Sequence, residues 1–164
     1  MKQQLLSRIT EKTAHVCVIG QGYVGLPLAI EFARGGLRVT GIDLDAEKCA
    51  SINRGVSYVK DVSDEDIASL VNAGYLLATT DYAALDDADA VIICVPTPLS
   101  KSKDPDISYI LAAVEALASH MHSGMIVVLE STTYPGTTEE ILIPRILQNG
   151  FVVGKDIFVA FSPE

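Results

Sequence analysis

Short apolar runs recur along the chain, separated by stretches with helical periodicity. His15 to Ile19, Arg38 to Ile42, Tyr75 to Ala78, Ala90 to Val95, Met125 to Leu129 and Ile157 to Phe161 are short, rich in Val, Ile and Leu, and bounded by polar or glycine-containing segments. They read as strands covered on both faces. Between them, apolar residues return at spacings of three and four, as in Ile110, Leu111, Val114 and Leu117, which reads as crossover helices. Strand and helix in alternation predict an α/β fold: a doubly wound, mostly parallel six-stranded sheet in the order 3-2-1-4-5-6, with right-handed crossovers.

Local chemistry marks where the helices begin. Ser63 precedes Asp64, Glu65 and Asp66, Asp106 precedes the Ile110 pattern, and Thr137 stands three before Glu140. These are N-terminal capping signatures, so the acids in them need no catalytic explanation. Pro27 falls early in the first crossover helix, where a missing N–H costs little. Residues 1–12 are expected to form an extension or short helix outside the sheet, and residues 13–164 a single Rossmann domain. The polar loop 97–106, with Lys101, Ser102, Lys103 and Asp104, is expected to be mobile.

The first strand runs directly into Gly20-Gln21-Gly22-Tyr23-Val24-Gly25, a helical pattern follows, and the second strand closes on an acid, Asp43. Strand, glycines, helix, strand and acid in this order form a dinucleotide fingerprint. Gly20 permits the tight turn, Gly22 lets backbone approach a diphosphate, and Gly25 lets the helix pack close to the strand. The diphosphate is expected at the helix N-terminus, where unpaired N–H groups and the helix dipole favour an anion. Asp43 is placed to accept hydrogen bonds from both adenosine ribose hydroxyls. A 2′-phosphate there would meet like charge, so NAD is expected over NADP.

Bulk properties narrow the alternatives. At 164 residues and 49% hydrophobic content the chain can bury a real core, and no apolar run approaches the ~18 residues needed to cross a membrane. The start shows neither a signal-peptide core nor a cleavage site, so a cytoplasmic location is expected. A net charge of -9 without clustered Lys or Arg argues against nucleic acid. Cys17, Cys49 and Cys94 lack metal spacing, and Cys17 and Cys94 fall inside strand runs, which suits buried inert thiols. His120 and His122 are two apart and do not share a helix face, so they read as surface residues and no metal is expected.

In an open parallel sheet ligands meet the carboxyl ends of the strands. Besides the glycine loop, two segments lie there: Val95-Pro96-Thr97-Pro98 after strand four, and Glu130 to Thr138 after strand five. Hydroxyls in the latter suit either ligand contacts or the capping of turns and helices, and spacing does not decide between these.

Together, Gly20-Gln-Gly-Tyr-Val-Gly-Leu-Pro-Leu-Ala29, Val95-Pro-Thr-Pro98, Asp106-Ile-Ser-Tyr109, Glu130-Ser-Thr132 with Pro135-Gly136-Thr137, and Ser162-Pro163-Glu164 resemble the N-terminal domain of the UDP-glucose/GDP-mannose dehydrogenase family, in order from His15 to Glu164. The Val-Pro-Thr-Pro and Glu-Ser-Thr forms look closest to members acting on UDP-N-acetylhexosamines. The resemblance implies that Tyr23 and Val24 lie along the dinucleotide, that Asp43 holds the adenosine ribose, and that Lys48, where relatives often carry Arg, flanks it. Lys keeps that charge and loses the flat stacking surface. It further implies that Thr97 and Thr132 lie near the nicotinamide, that Thr132 helps position a catalytic water, and that Glu164 stands close to the reacting centre.

The family's reaction oxidises a sugar C6 alcohol to an acid with two NAD, through a cysteine-bound thiohemiacetal and thioester. The catalytic cysteine, its lysine partner and the sugar-binding domain follow the Pro-Glu segment in relatives, and none of the three cysteines here matches by position. These 164 residues are therefore expected to bind NAD without completing the oxidation. A UDP-sugar substrate, a homodimer or larger assembly of the full-length protein, and a part in surface-polysaccharide precursor synthesis are implied by the resemblance. Two other readings stay open: the cofactor domain of a 3-hydroxyacyl-CoA or 6-phosphogluconate type dehydrogenase, and a stand-alone NAD-sensing module.

Overall fold

A computed structural model describes residues 1–98, 106–131 and 136–163. The strands are β1 (His15–Ile19), β2 (Arg38–Ile42), β3 (Leu76–Thr79), β4 (Ala90–Ile93), β5 (Ile126–Leu129) and β6 (Phe158–Phe161), all parallel, in the order β3-β2-β1-β4-β5-β6. This is the predicted doubly wound sheet.

The alternation within each strand sorts side chains to two cores. Val16 and Val18 of β1, with Val39, Leu76 and Ile92, pack under α2 (Gly25–Arg34), α3 (Ala46–Asn53) and α4 (Asp64–Asn72). Cys17 and Ile19, with Ile42, Val91, Ile93 and Val127, pack on the other face under α5 (Ser108–Ala118) and α6 (Ile143–Gln148). Both faces are covered, which is why the strands read as continuous apolar runs.

Strand ends differ from the sequence expectation by one or two residues. β4 stops at Ile93, short of the expected Val95, because the approach to Pro96 takes the chain out of the ladder. Tyr75 lies just outside β3, although its carbonyl still accepts from Val39 N–H at 2.8 Å. Ser63 caps α4 through Asp66 N–H as expected. Asp106 sits one residue ahead of the α5 N-cap, Ile107, and accepts from Ser108 N–H at 2.9 Å. After Gly136 the chain enters a π-helical turn, Thr138–Leu142, rather than an α-helix. Pro144 has no N–H for the carbonyl of Glu140, and the α-helical register breaks at that point.

The N-terminal stretch forms α1 (Lys2–Thr10), which lies outside the sheet and docks on it. Leu5 is buried, and Arg8 pairs with Asp89, whose other oxygen accepts from His15 N–H at 2.8 Å.

Candidate dinucleotide site

The glycine loop leaves β1 at Gly20, which adopts φ +92° and donates its N–H to the Ile42 carbonyl at 2.7 Å. A Cβ at Gly20 would collide with the Cys94 carbonyl, and one at Gly25 with the Gly20 carbonyl, so β1, β4 and α2 meet at backbone distance. Gly22 behaves differently: a Cβ there would meet nothing within 4 Å, because the residue faces open cleft. Val24 caps α2 without a side-chain hydrogen bond. Among the described residues none accepts from the N–H groups of Gly22, Tyr23 or Val24.

Gln21 between the glycines is fully buried, and its backbone N–H, its carbonyl and its Nε2 are each paired while its Oε1 has no partner among the described residues. Its N–H donates to Asp43 Oδ2 at 2.8 Å, its carbonyl accepts from the Tyr58 hydroxyl at 2.6 Å, and its Nε2 donates to the Val18 carbonyl at 2.8 Å. Its side chain lies across β2 at Gly41, where a Cβ would stand 2.6 Å from the amide. The glycine at position 41 is thus the space that Gln21 fills.

Asp43 follows β2 directly. Oδ1 accepts from Asp45 N–H at 2.9 Å, and Lys48 Nζ stands 3.5 Å from Oδ2. Asp45 in turn caps α3 by accepting from the N–H groups of Glu47 and Lys48, which fixes the helix that carries Lys48. The Lys48 ammonium also sits 6.0 Å from the centre of the Tyr58 ring.

These residues border one cleft of about 330 Å³, lined by Gly20, Gly22, Tyr23, Val24, Asp43, Lys48, Cys94, Val95, Pro96 and Thr97. Every expected cofactor-site residue on the described backbone lines it except Gly25, which is buried beneath the loop. Thr132 and Glu164 lie outside the described residues, as does most of the 97–106 loop. Beside the cleft is an apolar recess of about 220 Å³ whose walls include Ile42, Leu44, Tyr82, Pro96, Tyr109 and Ala112. Burial, and next the nearby Asp43 carboxylate, push the Tyr82 hydroxyl pKa up. Tyr58 and Tyr82 were not singled out by sequence reading, because each arrives from a separate segment with no local motif, and Tyr109 enters it only as the end of Asp106-Ile-Ser-Tyr109, without a place in the recess.

Ser131 resolves part of the open question about loop hydroxyls. Its Oγ donates to the carbonyls of Val95 and Ile93 at 3.1 and 3.4 Å, so it ties the β4 exit to the β5 exit. Burial raises the Cys17 thiol to about 12 and raises Cys49 as well, which favours the protonated thiol at both positions. His120 pairs with Asp86 at 2.7 Å, and among the described residues no three His, Cys, Asp or Glu side chains are grouped to hold a metal. No helix among them is long and apolar enough to cross a membrane.

Residues 14–164 match the UDP-glucose/GDP-mannose dehydrogenase family, NAD binding domain. The chain belongs to this family. It is 40% identical over 152 residues to a UDP-N-acetyl-D-mannosamine dehydrogenase of Pyrococcus horikoshii, an alignment covering 91% of this chain and 36% of the relative. It is 35% identical over 150 residues to a UDP-N-acetyl-D-glucosamine 6-dehydrogenase of Salmonella typhi, covering 91% and 34%. Among solved structures, a ternary complex of GDP-mannose dehydrogenase from Pseudomonas aeruginosa superposes with a TM-score of 0.86 at 32% identity, covering 91% of this chain and 36% of that one. The chain thus spans about a third of the length of the curated relatives it matches.

NAD is the cofactor of this domain family, and the donor set fits it. The loop offers N–H groups that have no acceptor among the described residues to an anion at a helix N-terminus, a carboxylate stands at the end of the second strand, and Gly22 leaves the approach open.

Proposed function

We propose that this domain holds NAD for a nucleotide-sugar 6-dehydrogenase that oxidises the C6 alcohol of a UDP-N-acetylhexosamine to the uronic acid. The carrying observation is that the glycine-loop N–H groups, which have no acceptor among the described residues, and the carboxylate of Asp43 open on the same cleft. The names of the similar proteins from Pyrococcus horikoshii and Salmonella typhi support the sugar class.

In this reading NAD supplies the hydride acceptor, and the chain's own residues bind and orient it. The N–H groups of Gly22, Tyr23 and Val24 hold the diphosphate. Asp43 holds the adenosine ribose with the oxygen lone pairs that Gln21, Asp45 and Lys48 leave open, and Lys48 flanks it. The recess between Tyr82, Pro96 and Tyr109 takes the adenine, whose aromatic faces suit its largely apolar walls. The family resemblance assigns Thr97 and Thr132 to the nicotinamide end, Thr132 also to positioning water, and Glu164 to the reacting centre. Residues 13–164 form the NAD domain, with α1 as its appendage. The complete enzyme works in the cytoplasm as a homodimer or larger assembly and contributes an acidic sugar to surface polysaccharide.

The test is full-length protein supplied with NAD and UDP-N-acetylglucosamine or UDP-N-acetylmannosamine. Two NADH per sugar consumed is the expected stoichiometry; no NADH with either sugar, or one per sugar, overturns the proposal.

A further inference from the structure

We propose that Tyr58 is a positioning residue for the dinucleotide: by holding the Gln21 carbonyl, its hydroxyl turns the Gly22 N–H into the cleft as a preset donor to a diphosphate. The inference rests on the NAD reading given above and adds a residue from outside the fingerprint.

A diphosphate needs close backbone, and the missing side chain at position 22 provides it. The same absence makes the Gln21–Gly22 peptide plane easy to rotate, because glycine restricts neither of its own dihedrals. A loop that must present an N–H in one direction therefore needs the plane held from elsewhere. In a planar trans peptide the C=O and the following N–H point in opposite directions, so fixing one fixes the other.

Tyr58 makes that contact. Its hydroxyl donates to the Gln21 carbonyl at 2.6 Å, across 37 residues of sequence. Among the described residues the Gly22 N–H on the opposite side of that plane has no acceptor, and Gly22 borders the cleft. The neighbouring Gln21 N–H is held by Asp43, so both peptide planes flanking Gln21 are tied.

Tyr58 itself sits on a rigid support. Gly55 N–H donates to the Ile52 carbonyl at 2.8 Å, Ser57 N–H to Asp64 Oδ1 at 2.7 Å, and Ser57 Oγ to the Val59 carbonyl at 2.9 Å, which staples the segment between α3 and α4. The ring is half-buried against the core under α2 to α4, with the Lys48 ammonium 6.0 Å from its centre. Burial, and then the Asp43 carboxylate, push its pKa upward, so the hydroxyl keeps its proton and stays a donor at neutral pH.

The test is Tyr58→Phe in the intact chain, which keeps the ring and deletes only the donor. Binding of NAD, ADP and adenosine is followed by amide shifts in NMR titrations. Losing one hydrogen bond of this kind is expected to weaken NAD and ADP by about 3- to 10-fold, while adenosine, which has no phosphate, binds as before and reports an intact fold. An equal loss for adenosine would make Tyr58 a general structural residue and overturn the proposal, as would unchanged NAD and ADP affinities. In both cases wild-type NAD binding would leave the NAD reading standing. Absence of NAD binding to the wild type would overturn the two together.

Discussion

Asp43 does two jobs with one carboxylate. It ties the glycine loop to β2 through Gln21 N–H and is the acceptor proposed for the adenosine ribose. Replacing it with Ala removes charge-assisted hydrogen bonds worth about 1.5–3 kcal/mol each, so NAD affinity measured by calorimetry is expected to fall at least about 10-fold. An unchanged affinity would remove Asp43 from the site. His15 shows a different residue-scale effect. Its ring is buried between Asp87 at 2.9 Å and Thr40 at 2.9 Å, and burial, then the Arg38 charge, lower its pKa against the opposing pull of Asp87. A folded-state pKa below the unfolded value of 6.5 means that the unfolded chain binds more protons as pH falls. The contribution is complete above that value and is lost as pH drops through the folded pKa. Melting temperature is expected to decline on acidification from neutral pH to about 5, and the decline should be shallower in His15→Asn; equal slopes in the two proteins would contradict this.

At the scale of elements, the turn from β1 into α2 separates stability from binding. Gly25→Ala forces a Cβ onto the Gly20 carbonyl, and overpacking of this kind costs about 1–3 kcal/mol in urea unfolding, with NAD binding lost alongside. Gly22→Ala adds a Cβ into open cleft, so its unfolding free energy should stay within about 1 kcal/mol of wild type while NAD affinity drops. If both variants lost stability alike, the claim that Gly22 faces the ligand would fall. The glycine loop and Asp43 were legible because their requirements are local: a positive φ, a helix start and a strand end occur in fixed order within one βαβ unit. Tyr58 and Tyr82 were not, and Tyr109 was legible as part of a motif but not as a wall of the recess, since their relation to the loop exists only after α3, α4 and α5 have packed. Gly41 illustrates the difference, for its reason is the side chain of Gln21 on another element. The π-turn at Thr138–Leu142 was hidden for a simpler reason: Pro144 and the capping pattern at Thr137 signal a helix in that region without fixing which hydrogen-bond register it adopts.

At the scale of the whole molecule, strand order followed from alternation together with the dinucleotide fingerprint: a parallel sheet needs right-handed crossovers, and six strands in two mononucleotide-binding halves give 3-2-1-4-5-6. A net charge of -9 means that an anionic cofactor is not drawn by the general field, and its binding falls to the local N–H groups and Lys48. The catalytic cysteine and its lysine partner are expected outside these residues. The 164-residue chain, given NAD and a UDP-N-acetylhexosamine, should therefore bind the cofactor and form no NADH; NADH formation would show that the chemistry needs nothing further. The most direct measurement is a calorimetric titration of this chain with NAD and with NADP. The account predicts saturable one-to-one binding of NAD and markedly weaker binding of NADP, whose 2′-phosphate meets the Asp43 carboxylate. Equal affinity for the two, or no binding of NAD, would contradict it.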